Sequence, residues 1–79
     1  MTKAGLTPKQ QQVFDYLRLY HKVNGYFPSV REIGEGQLDG KQVLPVRTSP
    51  TSVHRQLQAL QERGWISWLP GKARSITIL

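Results

Sequence analysis

The stretch SPTSVHRQLQALQERGWISWLPGKARSITIL, residues 49–79, narrows most what this chain can fold into. It reads as a capped helix, a glycine stop and a two-stranded hairpin with a basic turn. Ser49 suits the N-cap, because its hydroxyl accepts from an orphan backbone N–H of the first turn. Pro50 suits the first helical position, where its missing N–H costs nothing. Val53, Leu57 and Leu60 recur at i, i+4 and i+7 and define a buried stripe. Gly64 follows as a stop, so the helix is expected over roughly 50–63. Trp65–Leu69 and Arg74–Leu79 alternate and are rich in β-formers, with Pro70-Gly71-Lys72-Ala73 between them. Ile66 and Trp68, opposite Ile76 and Ile78, would face the helices, and Ser67, Ser75 and Thr77 would face water.

Two earlier helix starts carry the same punctuation. Thr7-Pro8-Lys9-Gln10 supplies a capping Thr, a Pro at the first position and a Gln three residues on. Val13, Leu17 and Tyr20 form the stripe with Phe14 beside it, and Asn24-Gly25 ends a helix expected over roughly 8–23. Residues 1–5 read as a loose tail. Ser29 and Glu32 form a second capping box after Pro28, which holds Phe27 extended. The helix starting at Val30 is short, because Gly34 and Gly36 weaken it after little more than a turn.

Residues 36–47 lie between that helix and Ser49. Asp39-Gly40 is a hairpin-turn pair, and Pro45 confines Val43-Leu44-Pro45-Val46 to an edge or to irregular structure. The segment reads as a surface loop whose short strand could pair with the C-terminal hairpin. The alternative is that Val43, Leu44 and Val46 form a third strand of that sheet and cover part of the core.

Seventy-nine residues make one small domain with a single modest core. There is no cysteine, so neither a disulfide nor a thiolate metal site is available. The two histidines, His21 and His54, lie far apart without a carboxylate pair, and no metal or cofactor is expected. No apolar run approaches membrane-spanning length, and the N-terminus has no signal-peptide apolar region. The expectation is a soluble, cytoplasmic protein without membrane contact. No nucleophile–base–orienter set and no glycine-rich phosphate loop is visible, so neither an enzyme nor a small-molecule substrate is expected.

Eleven Lys and Arg against five Asp and Glu leave +6 at pH 7, an excess that favours a polyanionic partner. Thr51, Arg55 and Gln58 fall opposite the Val53–Leu57–Leu60 stripe, with Ser52 and His54 on the flanks. A helix seated on a core and offering small donors and an Arg near its start suits the DNA major groove. The hairpin after it would be the wing of a winged helix-turn-helix.

The residues also point to a family. LTPKQQQVFDYL, GYFPSVREI, SPTSVHRQLQALQERGWI and PGKARSITIL resemble, in order, the first helix, the turn and second helix, the recognition helix and the wing of the LexA family of SOS repressors. The resemblance implies an α+β, mainly α, three-helix winged helix-turn-helix that binds double-stranded operator DNA as a homodimer and represses transcription. It places Ser49, Thr51, Ser52, His54 and Arg55 in the family's base- and phosphate-contacting stretch. Lys72 and Arg74 fall in the wing region that approaches the DNA backbone. Two departures stand out. Residues 36–46 are longer than the family's tight connection between helices 2 and 3. The family continues into a linker and a self-cleaving, dimerising peptidase domain, whereas this sequence ends at Leu79, so that activity is not carried over.

Each candidate has a plainer reading. Arg55 could be an ordinary solvated residue, but its outward position on the first turns favours a base or phosphate contact, with Gln58 one turn on. His54 suits a polar or phosphate contact with a modest pH dependence. Trp65, Trp68 and Tyr26 could stack single-stranded nucleic acid, yet Trp68 sits at an inward strand position and packing is favoured. Lys72 and Arg74 could merely keep a hairpin soluble. The rival functions are a winged-helix protein-interaction module and an RNA or single-strand binder.

Overall fold

The computed structural model describes residues 5–44, 49–69, 71–72 and 75–79. Its elements are α1 (Pro8–Asn24), α2 (Val30–Glu35), β1 (Gln37–Leu38), β2 (Lys41–Gln42), α3 (Pro50–Glu62), β3 (Ile66–Ser67) and β4 (Thr77–Ile78). The capping residues start each helix as expected. Thr7 and Gln10 exchange their side-chain and backbone bonds, as do Ser29 and Glu32. The Ser49 hydroxyl accepts from the Ser52 N–H at 3.3 Å. Gly25 ends α1 with φ +81°. At the end of α3 the Gly64 N–H donates to Gln61 and the Trp65 N–H to Leu60. This is the paired closure that a left-handed glycine permits.

One core joins these elements. Val13, Phe14, Leu17 and Tyr20 of α1 meet Ile33 of α2 and Val53, Leu57 and Leu60 of α3, and the wing closes over them with Ile66, Trp68 and Ile76. Ile66 faces Ile78 and Ser67 faces Thr77 across the antiparallel β3–β4 pair. Ser67 and Thr77 are exposed, whereas Ser75 is half-buried. Among the described residues no helix is long and apolar enough to cross a membrane.

The segment after α2 fits neither sequence reading as stated. Gln37–Leu38 and Lys41–Gln42 pair with each other in a hairpin of their own and do not join the β3–β4 sheet. Asp39 (φ +51°) and Gly40 (φ +76°) form its two-residue turn, the positive-φ pair that matches strand twist. Yet this is no passive surface loop, because Leu38 and Leu44 are buried in the core. Val43 points outward, 38% exposed; Pro45 and Val46 lie outside the described residues. The Tyr16 hydroxyl, buried beneath, donates to the Gln37 carbonyl at 2.7 Å. The Gly36 carbonyl accepts from both Val43 and Leu44, and the Gln42 amide donates to the Glu35 and Leu44 carbonyls. These bonds satisfy backbone groups that a helix end and a tight turn would otherwise strand.

Candidate nucleic-acid interface

Burial of Val53, Leu57 and Leu60 rotates the rest of α3 outward. Thr51, His54, Arg55 and Gln58 are exposed, Ser52 is half-buried and Ser49 is exposed at the N-cap. The six residues therefore share one continuous surface running up from the start of α3. Its chemistry is mixed donor and acceptor with one guanidinium. The Ser49 and Ser52 hydroxyls lie 3.2 Å apart, and the Gln58 amide reaches Glu62 only at 3.5 Å.

The wing is fixed to this helix by contacts that sequence reasoning missed. Gln61 on the last turn of α3 accepts the Trp68 backbone N–H through its side-chain oxygen. His54 sets its ring against Trp68 edge-on, with centroids 5.1 Å apart. Ser75, expected to face water, instead bridges the wing turn: its hydroxyl donates to the Leu69 carbonyl at 2.8 Å and accepts from the Leu69 N–H at 3.1 Å. Lys72 is exposed at that turn, its N–H bonded to the Leu69 carbonyl. Arg74, the other wing candidate, lies outside the described residues.

Glu32 supports the site from behind. One of its carboxylate oxygens accepts the Ser29 N–H and the other accepts the Tyr20 hydroxyl at 2.6 Å. The capping box that starts α2 is thereby tied to α1. The spacing of Ser29 and Glu32 signalled the cap, but nothing local signalled the tyrosine.

The aromatic side chains do not make a stacking platform. Trp68 is 5% exposed in the core, and Trp65 lies edge-on to Phe14 at 5.1 Å. Tyr26, more open, packs its ring against Tyr20. Base-stacking domains present such rings on an open face.

A short second helix, a third helix with its polar face outward, and a hairpin locked to that helix make a winged helix-turn-helix. Comparison with known proteins gives the same result: the family described as LexA DNA binding domain matches residues 3–75. The chain belongs to the LexA DNA-binding domain family. It is 40% identical over 78 residues to the LexA repressor of Frankia casuarinae, covering 99% of this chain and 27% of that protein. It is 42% identical over 74 residues to the LexA repressor of Bacillus mycoides, covering 94% of this chain and 32% of that protein. The chain thus spans about a quarter to a third of the length of these relatives. They are named repressors, and the matched portion is the LexA DNA-binding part.

Proposed function

We propose that this domain reads operator sequences in double-stranded DNA and represses transcription by occupying a promoter in the cytoplasm. The observation that carries the reading is the outward face of α3, where exposed Thr51, His54, Arg55 and Gln58 stand opposite a fully buried stripe. In the bound state α3 lies in the major groove. Arg55 and Gln58 address base edges, and Ser49, Thr51, Ser52 and His54 address bases or phosphates along the start of the helix. Lys72 and Arg74 bring the wing to the backbone. Two copies bind paired half-sites, since operator symmetry mirrors protein symmetry in this class of reader.

Selection from random duplex DNA at defined salt tests the reading. The expected result is enrichment of one motif, repeated with two-fold symmetry, with affinity that falls steeply as salt rises. No enrichment on duplex, or preference for single strands, would overturn it in favour of the protein-interaction or single-strand alternative.

A further inference from the structure

Between α2, α3 and the wing runs a groove of about 310 Å³. Its lining includes Ser29, Val30 and Arg31 from the start of α2, His54 from α3, and Trp68 and Lys72 from the wing. Trp68 and Val30 give it an apolar floor, while Arg31 and Lys72 are cations from opposite walls. Among the described residues no acid lines it, although acids occur nearby: Glu32, Glu35 and Asp39 all line a separate cleft of about 210 Å³ behind α2.

The donors here are uncommitted or weakly held. Lys72 makes no ion pair with a described residue. The Ser29 hydroxyl accepts from the Glu32 N–H at 3.3 Å, which leaves its own proton to donate outward. Among the described residues Arg31 is held only by Glu35, at 3.8 Å between side chains 90% and 51% exposed. A pair so open to water is worth little and yields readily to a better partner.

We infer that this groove seats one sugar–phosphate strand of the duplex, and that Arg31 is a phosphate-contacting residue on α2. The inference rests on the duplex-binding reading and adds to it a contact outside α3 and the wing turn. Cations on both walls meet phosphate oxygens, as Arg and Lys commonly do in such complexes, while the apolar floor meets the sugars. Arg31 and Lys72 then hold the same strand from two sides, setting the angle at which α3 enters the groove. Because phosphates carry no sequence information, Arg31 contributes to affinity on every sequence.

Arg31→Ala and Glu35→Gln test this, titrated against the selected operator duplex and a scrambled duplex over a salt series. Melting curves of the free proteins verify that both variants fold. For Arg31→Ala we expect equal weakening on both duplexes and a slope of log K against log salt shallower by about 0.9. The parent's advantage should therefore shrink about 3.5-fold as salt rises from about 50 to 200 mM. Glu35→Gln frees Arg31 from its ion pair and should bind as tightly as the parent or more so. If Arg31 acted only by bracing α2 through Glu35, Glu35→Gln would reproduce the loss, and the inference falls. An unchanged salt slope for Arg31→Ala also overturns it, leaving duplex binding by α3 intact. If the parent itself shows no salt-dependent duplex binding, both the inference and the underlying reading fail.

Discussion

Arg55 and Tyr16 show how differently single residues act in this small domain. Arg55 is exposed on α3, so its removal has little to disturb in the free protein. Arg55→Ala should cost about 1–3 kcal/mol on the selected operator and relax preference at one base pair, because a guanidinium paired with guanine discriminates by that amount. Equal losses on selected and random duplex would show a phosphate contact instead. Tyr16 acts inside. Burial, followed by the nearby Tyr20, Glu32 and Glu35, pushes its hydroxyl up to about 12 from 10.0. The folded state therefore holds this proton more tightly than the unfolded chain does. The resulting stability is complete below about pH 10 and is lost as pH rises towards 12. Tyr16→Phe should lower stability at neutral pH by about 0.5–1.5 kcal/mol, since the part-buried bond to the Gln37 carbonyl is lost. It should also remove this part of the alkaline loss. Chemical denaturation of both proteins from pH 8 to 12 measures the difference, and a parallel decline would refute the assignment.

At the scale of elements, Gly36 and the hairpin it introduces decide how α2 joins α3. Gly36 ends α2 with φ +65°, and a Cβ there would lie 2.7 Å from the Leu44 Cβ. Gly40 also has positive φ, but a Cβ there meets nothing within 4 Å. Gly40→Ala should thus cost only left-handed strain, about 1–2 kcal/mol. Gly36→Ala adds a clash with the buried Leu44, and it should lower Tm clearly further; equal shifts would mean that Leu44 moves aside freely. The same packing changes what deletion should do. Replacing Gly36–Val46 by a tight connection removes Leu38 and Leu44 from the core, at about 1.5–3 kcal/mol each. It also removes the Gln37 carbonyl, the nearer of the two acceptors of the Tyr16 hydroxyl, and leaves only the Glu32 carbonyl at 3.3 Å. We expect a large drop in Tm or loss of the cooperative transition. A shortened protein that melts like the parent would show the segment to be dispensable.

These elements also mark what the sequence could tell. Caps, glycine stops and the Val53–Leu57–Leu60 stripe are local patterns, and helix boundaries followed from them within a residue or so. The Asp39-Gly40 turn was legible for the same reason. The burial of Leu38 was not, and that of Leu44 was legible only as part of a third-strand alternative, because no period links the two and the core they join is assembled from distant parts of the chain. The polar face of α3 could be read as the complement of its stripe. The Gln61–Trp68 and Ser75–Leu69 bonds could not, since they exist only once helix and wing are assembled. The groove that brings Arg31 towards Lys72 is likewise a product of assembly.

On the scale of the whole molecule, charge placement matters more than the total of +6. Three of the five acids line the cleft behind α2, while among the described residues the groove between α2, α3 and the wing has none. A duplex approaching the groove side meets Arg31 and Lys72, and among the described residues the one acid paired with either is Glu35, through a solvent-open contact at 3.8 Å. Such an arrangement orients the encounter and concentrates the salt dependence on a few residues. The wing should carry a definable share of it. Lys72→Ala combined with Arg74→Ala should weaken binding on all duplexes alike and flatten the slope of log K against log salt by roughly one to two units, about one for each phosphate that is no longer neutralised. The wing turn is closed by Ser75, Leu69 and the Lys72 backbone N–H, none of which depends on the Lys72 ammonium, so removing that charge should leave the hairpin standing. Titration of parent and double variant over about 50–200 mM salt decides the matter. A slope matching the parent's would place the wing away from the DNA and leave the remaining cations to account for the whole electrostatic effect.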